Sequence, residues 1–180
     1  WDWEKVITRE QRTEETLEKI VTQIYRALKA TEDHICGLFP VVDRLLPEEI
    51  TFISTQELED RYPTLAPEER EDAICKEKGA VFLKGIGGRL NSGKRHDGRA
   101  PDYDDWRLNG DIIFWYPLLE TAFEISSMGI RVDEKTLLAQ LKEAECEERQ
   151  DFKFHRDLLA GRLPYTIGGG LGQSRICMFL

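Results

Sequence analysis

Strands outnumber crossover helices in the middle of this chain, and that imbalance constrains its fold more than any other feature. Three β-rich runs follow one another: Ala80 to Leu83, "DIIFWYPLL" from Asp111, and "AFEISSMGIRV" from Ala122. Parallel neighbours need a crossover of a dozen or more residues, usually helical. A largely antiparallel sheet is therefore expected, rather than a doubly wound one. Flanking helices are legible from their stripes and caps. Leu17, Ile20, Val21, Ile24 and Leu28 share one helical face behind Thr13, a predicted N-cap followed by Glu14 and Glu15 at the positive end of the dipole. Pro67, Glu68 and Glu69 open a helix that Gly79 closes, and Ile50 to Ser54 reads as a short strand before it. Asp133 caps a helix carrying Leu137, Leu138 and Leu141, and a further helix from Phe152 to Leu159 ends at Gly161. The opening Trp1-Asp2-Trp3 reads as a strand with one face in the core.

At 180 residues, 41% hydrophobic and 33% charged, the chain can bury the core of one domain. No apolar run approaches a bilayer span, and the first residues lack the basic and apolar blocks of a signal peptide, so a cytoplasmic protein without membrane partners is expected. Cys36, Cys75, Cys146 and Cys177 show no Cys-x-x-Cys spacing, which fits reduced thiols. A formal net charge of −9 repels a phosphate backbone, so a small ligand is expected rather than nucleic acid.

Three local features carry possible chemistry. "RAPDYDDWRLNGDI", Arg99 to Ile112, packs four aspartates beside only two cations, Arg99 and Arg107; by composition it reads as a solvated turn. "GRLNSGK", Gly88 to Lys94, has P-loop spacing, but Arg95 stands where a hydroxyl should hold magnesium and "RHDGRAP" is a poor helix, so it reads as a decoy. "TIGGGLGQSRICMFL", Thr166 to Leu180, is either a glycine-rich turn into a core helix or a close-approach surface for a ligand clamped by Arg175. His96 beside Asp97 reads as a loop hydrogen bond, and His34 with Cys36 forms no zinc ligand set.

Taken together, "WDWE", "FLKGIGGRL", "RHDGRAPDYDDW", "LNGDI", "FEISSMGIRVD" and "LPYTIGGGLGQSR" resemble the ammonia-dependent asparagine synthetases, the aspartate–ammonia ligases, from Trp1 to Leu180. The resemblance implies an α/β fold of the α+β type, a mainly antiparallel sheet flanked by helices as in class II aminoacyl-tRNA synthetases, and a homodimer. It implies a reaction in which L-aspartate and ATP give β-aspartyl-adenylate and pyrophosphate, after which ammonia displaces AMP. Relatives carry a longer segment between the Asp-Asp-Trp and the Leu-Asn-Gly-Asp. They also carry motif 1 and most of motif 2 before the Trp-Asp-Trp, and a short tail after motif 3. The expectation is thus one catalytic domain over 1–180, short of those parts.

The site follows from the same resemblance. Asp111 and Glu124 correspond to the pair that positions magnesium. Arg131 and Arg175 correspond to the nucleotide arginines, both counted as catalytic, with Ser126, Gly170 and Gly172 also at the ATP. Asp2, Tyr103, Asp104 and Ser127 correspond to the aspartate pocket. Read without the resemblance, Glu124 between Phe123 and Ile125 would face solvent by strand alternation, and Asp111 would merely end a strand. Two other functions are weighed: a class II aminoacyl-tRNA synthetase of aspartyl or asparaginyl type, which needs an anticodon module and basic surface, and a catalytically silent protein binding aspartate or AMP, which should lack a magnesium ligand or phosphate arginine. Free ammonia is expected as nitrogen donor, since none of the four cysteines sits in an activating setting; Cys146 lies between Glu145 and Glu147.

Overall fold

A computed structural model describes residues 1–180. The first helix, α1 (Glu14–Leu38), begins where Thr13 Oγ1 accepts the Thr16 amide, as its sequence predicts. Its inner stripe buries Leu17, Ile20, Val21 and Tyr25, with Ile24 and Leu28 half-buried beside them. Each fully buried aliphatic side chain there contributes about 1.5–3 kcal/mol.

The stripe packs on a six-stranded sheet. In chain order the strands are β1 (Asp2–Ile7), β2 (Thr51–Ser54), β3 (Ala80–Lys84), β4 (Asp104–Tyr116), β5 (Thr121–Arg131) and β6 (Tyr165–Leu171). In space they run β1-β6-β5-β4-β3-β2. Every neighbouring pair is antiparallel except β2 with β3. That parallel pair is joined through helices α2 (Thr55–Arg61) and α3 (Pro67–Lys78), the helical crossover such pairing demands. Phe82, Ile112, Phe114, Met128, Ile130 and Ile167 meet α1 on one face. On the other, Leu58, Ile74 and Cys75 from α2 and α3 cover Ile53, Val81, Leu83 and Ile113. The remainder of that second face, on β4, β5, β6 and β1, carries the polar residues of interest.

Three sequence readings change. Asp104 and Asp105 belong to β4 and are each 2% exposed, so the acidic stretch is in large part a buried strand and not a solvated turn. Gly168, Gly169 and Gly170 lie within β6, and only Gly172 stands at the junction with helix α6 (Gln173–Phe179). Leu138 is exposed on α4 (Glu134–Glu143), while Leu137 and Leu141 are buried against Leu158 of α5 (Lys153–Leu159). Gly88 to Lys94 forms a tight turn closed by the Leu90 amide on Lys94 O, with no helix after it. No helix is long and apolar enough to cross a membrane.

The N-cap of α4 ties this layer to α1. Asp133 Oδ1 accepts the Lys135 and Thr136 amides, and its Oδ2 lies 3.4 Å from Arg12 Nε. Burial pushes this carboxyl up, but the hydrogen bonds from Thr136 and the charge of Arg12 outweigh it and leave it below its usual range. Its stabilisation is therefore complete above the ordinary carboxylate range and is lost as pH falls through the depressed folded value. Asp133→Ala is expected to cost about 1–2 kcal/mol in urea unfolding at neutral pH, with the difference shrinking in acid; an unchanged midpoint would remove the cap from the account.

Candidate active site

Strand register places four sequence-selected residues in one row. Asp2 on β1 lies opposite Gly170 on β6, Gly170 opposite Ser127 on β5, and Ser127 opposite Asp111 on β4. Directly paired residues project to the same side of a sheet. Asp111 in turn faces Leu83, which α2 and α3 cover, so the row lies on the second face just where those helices stop. One step along, Glu4, Gly168, Gly129 and Asn109 make a parallel row. Two glycines at its centre give the neighbouring arginine its room. A Cβ on Gly168 would collide with Glu4 and stand 2.6 Å from Arg131 Nη2; one on Gly129 would stand 2.7 Å from Asp104 Cγ.

Glu124 reaches this face through an irregularity. Ile112 pairs with Ser126 but Ile113 pairs with Glu124, so β5 holds one extra residue, Ile125. Plain alternation from Ser127 would turn Ile125 to the second face and Glu124 to the core. The bulge reverses both: Ile125 is buried in the α1 core and Glu124 joins the side of Ile113 and Asp111. Bulges of this kind re-aim side chains beside sites.

Three arginines meet four carboxylates there. Arg175, in the first turn of α6, lies 3.0 Å from Glu124 Oε1 and donates to the Glu124 carbonyl at 3.0 Å. Gly172 accommodates it, since a Cβ would stand 3.2 Å from Arg175 Cδ. At the other end Arg131 binds Asp104, and donates to Glu4 Oε1 at 3.1 Å and Oε2 at 2.8 Å. The Tyr103 ring lies 4.0 Å from its guanidinium carbon, a cation–π contact. Between them Arg99 donates to Asp111 Oδ1 at 2.7 Å and Ser127 Oγ at 2.6 Å.

Arg99 and Glu4 are not among the sequence-selected residues. Arg99 had a signal, as one of only two cations in the acidic stretch; the other, Arg107, is 83% exposed and 3.8 Å from Asp105. Glu4 had none, because only β1–β6 pairing carries it to Arg131. Ser126, by contrast, lies off this face: it is buried beside Ile112, and its hydroxyl donates to Gly170 O at 2.7 Å. Its job in the structure is to fasten β5 to β6.

Electrostatics follow from burial. Burial drives the Asp111 carboxyl above its ordinary range against the pull of Arg99, with Glu124 adding to the rise. Asp104 is likewise pushed up by burial, opposed by Arg131. In Glu4 the Arg131 hydrogen bonds overcome burial, and its carboxyl sits below the usual range. Asp111 and Glu124 thus offer two hard oxygen donors on adjacent strands, each held by an arginine, Arg99 and Arg175. That donor set fits magnesium, which keeps several waters and takes one or two carboxylates plus phosphate oxygens. A cavity of about 270 Å³ opens beside Arg131, walled by Glu4, Tyr103, Phe154, Leu158 and Thr166 among others.

Comparison with known proteins speaks to the fold and the family. Among solved structures, an aspartyl-tRNA synthetase from Entamoeba histolytica matches with a TM-score of 0.64 at 14% identity, over 99% of this chain and 39% of that one. An asparaginyl-tRNA synthetase from Pyrococcus horikoshii, complexed with asparaginyl-adenylate, matches at 0.61 and 18% identity, over 99% and 43%. At such identities the likeness is one of fold: the architecture is that of the class II aminoacyl-tRNA synthetases. Sequence relatives are closer. An aspartate–ammonia ligase of Clostridium perfringens is 65% identical over 179 residues, 99% of this chain and 53% of the relative. Another from Lactobacillus johnsonii is 62% identical over 181 residues, 100% and 54%. The chain spans about half the length of the curated relatives it matches. The model of the aspartate-ammonia ligase family matches residues 1–180 without remainder, and with that match over the whole chain it belongs to this family.

Proposed function

We propose that the protein to which this chain belongs amidates L-aspartate with ammonia, at the expense of ATP, through a β-aspartyl-adenylate, releasing AMP and pyrophosphate. The observation that carries the reading is the cross-strand row Asp2–Gly170–Ser127–Asp111 with Arg99 bound to its Ser127 and Asp111, in a chain matched throughout by the aspartate–ammonia ligase family. Adenylation brings a carboxylate against the α-phosphate of a polyanion, so catalysis rests on positioned positive charge. Arg175 with Gly170 and Gly172 serves the nucleotide end. Arg131 is assigned to the amino-acid end, because its partners Asp104 and Glu4 and its stacking ring Tyr103 gather there. Asp2 and Asp104 hold the substrate ammonium, and Ser127 with Tyr103 shapes the pocket. Asp111 and Glu124 would hold magnesium, which when bound offsets charge on the triphosphate. A cytoplasmic homodimer without nucleic-acid partners completes the proposal, the net charge of −9 supporting its last part.

The test is to supply the full chain with ATP, magnesium, aspartate and ammonium and identify the nucleotide product: AMP is expected, and ADP with phosphate would overturn the reading. Glutamine in ammonia-free buffer is expected to give no asparagine. Cys36, Cys75 and Cys146 are buried, and their thiols donate to the carbonyls of Asp43, Ile113 and Leu141. Burial pushes the Cys75 thiol far up, away from the thiolate a glutaminase needs. Glutamine-driven synthesis abolished by a thiol alkylator that spares the ammonia reaction would contradict this.

A further inference from the structure

The segment that carries Arg99 and Tyr103 to the sheet is fastened before Arg99 by an imidazole on a carboxylate and after it by a guanidinium on a carboxylate. Three residues before Arg99, His96 is 5% exposed and its Nε2 lies 2.8 Å from Glu71 Oε1 on α3. Three residues after it, Asp102 Oδ2 accepts from Arg149 Nη1 at 3.3 Å; His155 of α5, 5% exposed, lies 3.2 Å from the same oxygen but makes no hydrogen bond to it. Between the clips, the Ala100 and Pro101 carbonyls accept from Trp106 Nε1 at 3.3 Å and Gln140 Nε2 at 2.9 Å. His96 touches none of the site residues, yet burying an imidazole is costly without a partner, and Glu71 supplies one. From this we infer that His96 is a positioning residue: through Glu71 it holds the Arg99 guanidinium across Asp111 and Ser127, and so presets that end of the row before substrate arrives. The inference rests on the reaction proposed above only for what the row does. Where the segment sits is independent of that reading.

The consequence is tested in the full chain with two readouts. Tryptic cleavage after Arg99 is expected to rise about tenfold in His96→Leu, the worth of one charge-assisted hydrogen bond, while α1 and β6 stay uncut. His96→Gln keeps a nitrogen donor near Nε2 and is expected to restore most of that protection. This readout stands whatever the reaction is. In aspartate-dependent ATP–pyrophosphate exchange, His96→Leu is expected to lose roughly tenfold in kcat/KM for aspartate, with KM for ATP within about twofold. Added to Arg99→Ala, it should cost nothing further, because a residue acting through another is not additive with it. Full additivity on the Arg99→Ala background, equal damage from His96→Leu and His96→Gln, or unchanged cleavage after Arg99 would overturn the inference. A wild type that forms ADP would instead sink the proposed reaction and leave the proteolysis result standing.

Discussion

Arg175→Ala is expected to slow aspartate-dependent ATP–pyrophosphate exchange by roughly 10²–10³-fold, the usual loss when one preorganised transition-state donor is removed. The guanidinium is half exposed and contacts only Glu124, so its removal should leave stability within about 0.5 kcal/mol. That separation makes the variant informative. A fold weakened elsewhere could not lose two orders of magnitude in rate while unfolding at the same urea concentration. With ATP present the pair with Glu124 is expected to open, the arginine turning to phosphate and the carboxylate to the metal. Near-normal exchange in the variant would reduce Arg175 to a surface tie between α6 and β5.

Asp111→Asn is expected to have an effect of similar size through a different dependence. The amide keeps the shape and can still accept from Arg99, but it removes a buried charge that both balances Arg99 and would hold magnesium. Breaking a buried pair costs up to about 3–5 kcal/mol, so circular dichroism and a melting curve accompany the kinetics. Exchange should fall by about 10²-fold or more, and the magnesium concentration for half-maximal rate should rise. Asp104→Asn, at the other end of the site, should instead raise KM for aspartate and leave the magnesium profile near wild type. Identical magnesium titrations for the two variants would contradict the division of labour between them.

What the residues disclosed in advance depended on range. Helix α1 and the caps at Thr13 and Asp133 are local events, written in stripes and in hydrogen bonds three residues long, and they stand where periodicity puts them. The mainly antiparallel order was legible because crossover helices were scarce; the parallel β2–β3 edge was not, because α2 and α3 both lie between strands that read as unrelated. By composition Asp104 reads as turn because aspartate is weighed as a solvated residue, whereas Arg131, twenty-seven residues away, offsets part of its burial cost. Glu124 shows the same limit from the other side. Alternation counted from Phe123 and Ile125 turns it off the core, but counted from Ser127 it turns it into the core, and only the extra residue at Ile125 sets it on the side of Asp111. The assigned site residues were reached through the resemblance, and the register then gathered most of them on one face. Arg99 and Glu4 belong to that face through long-range pairing alone.

The central claim is that an oxygen of the aspartate β-carboxylate becomes bonded to the α-phosphorus of ATP and leaves with AMP when ammonia forms the amide. The measurement is to run the reaction with aspartate labelled by ¹⁸O in the β-carboxylate and to weigh the AMP by mass spectrometry. One ¹⁸O atom in each AMP, with none in pyrophosphate, is the predicted result. Unlabelled AMP, or label recovered in inorganic phosphate beside ADP, would contradict it.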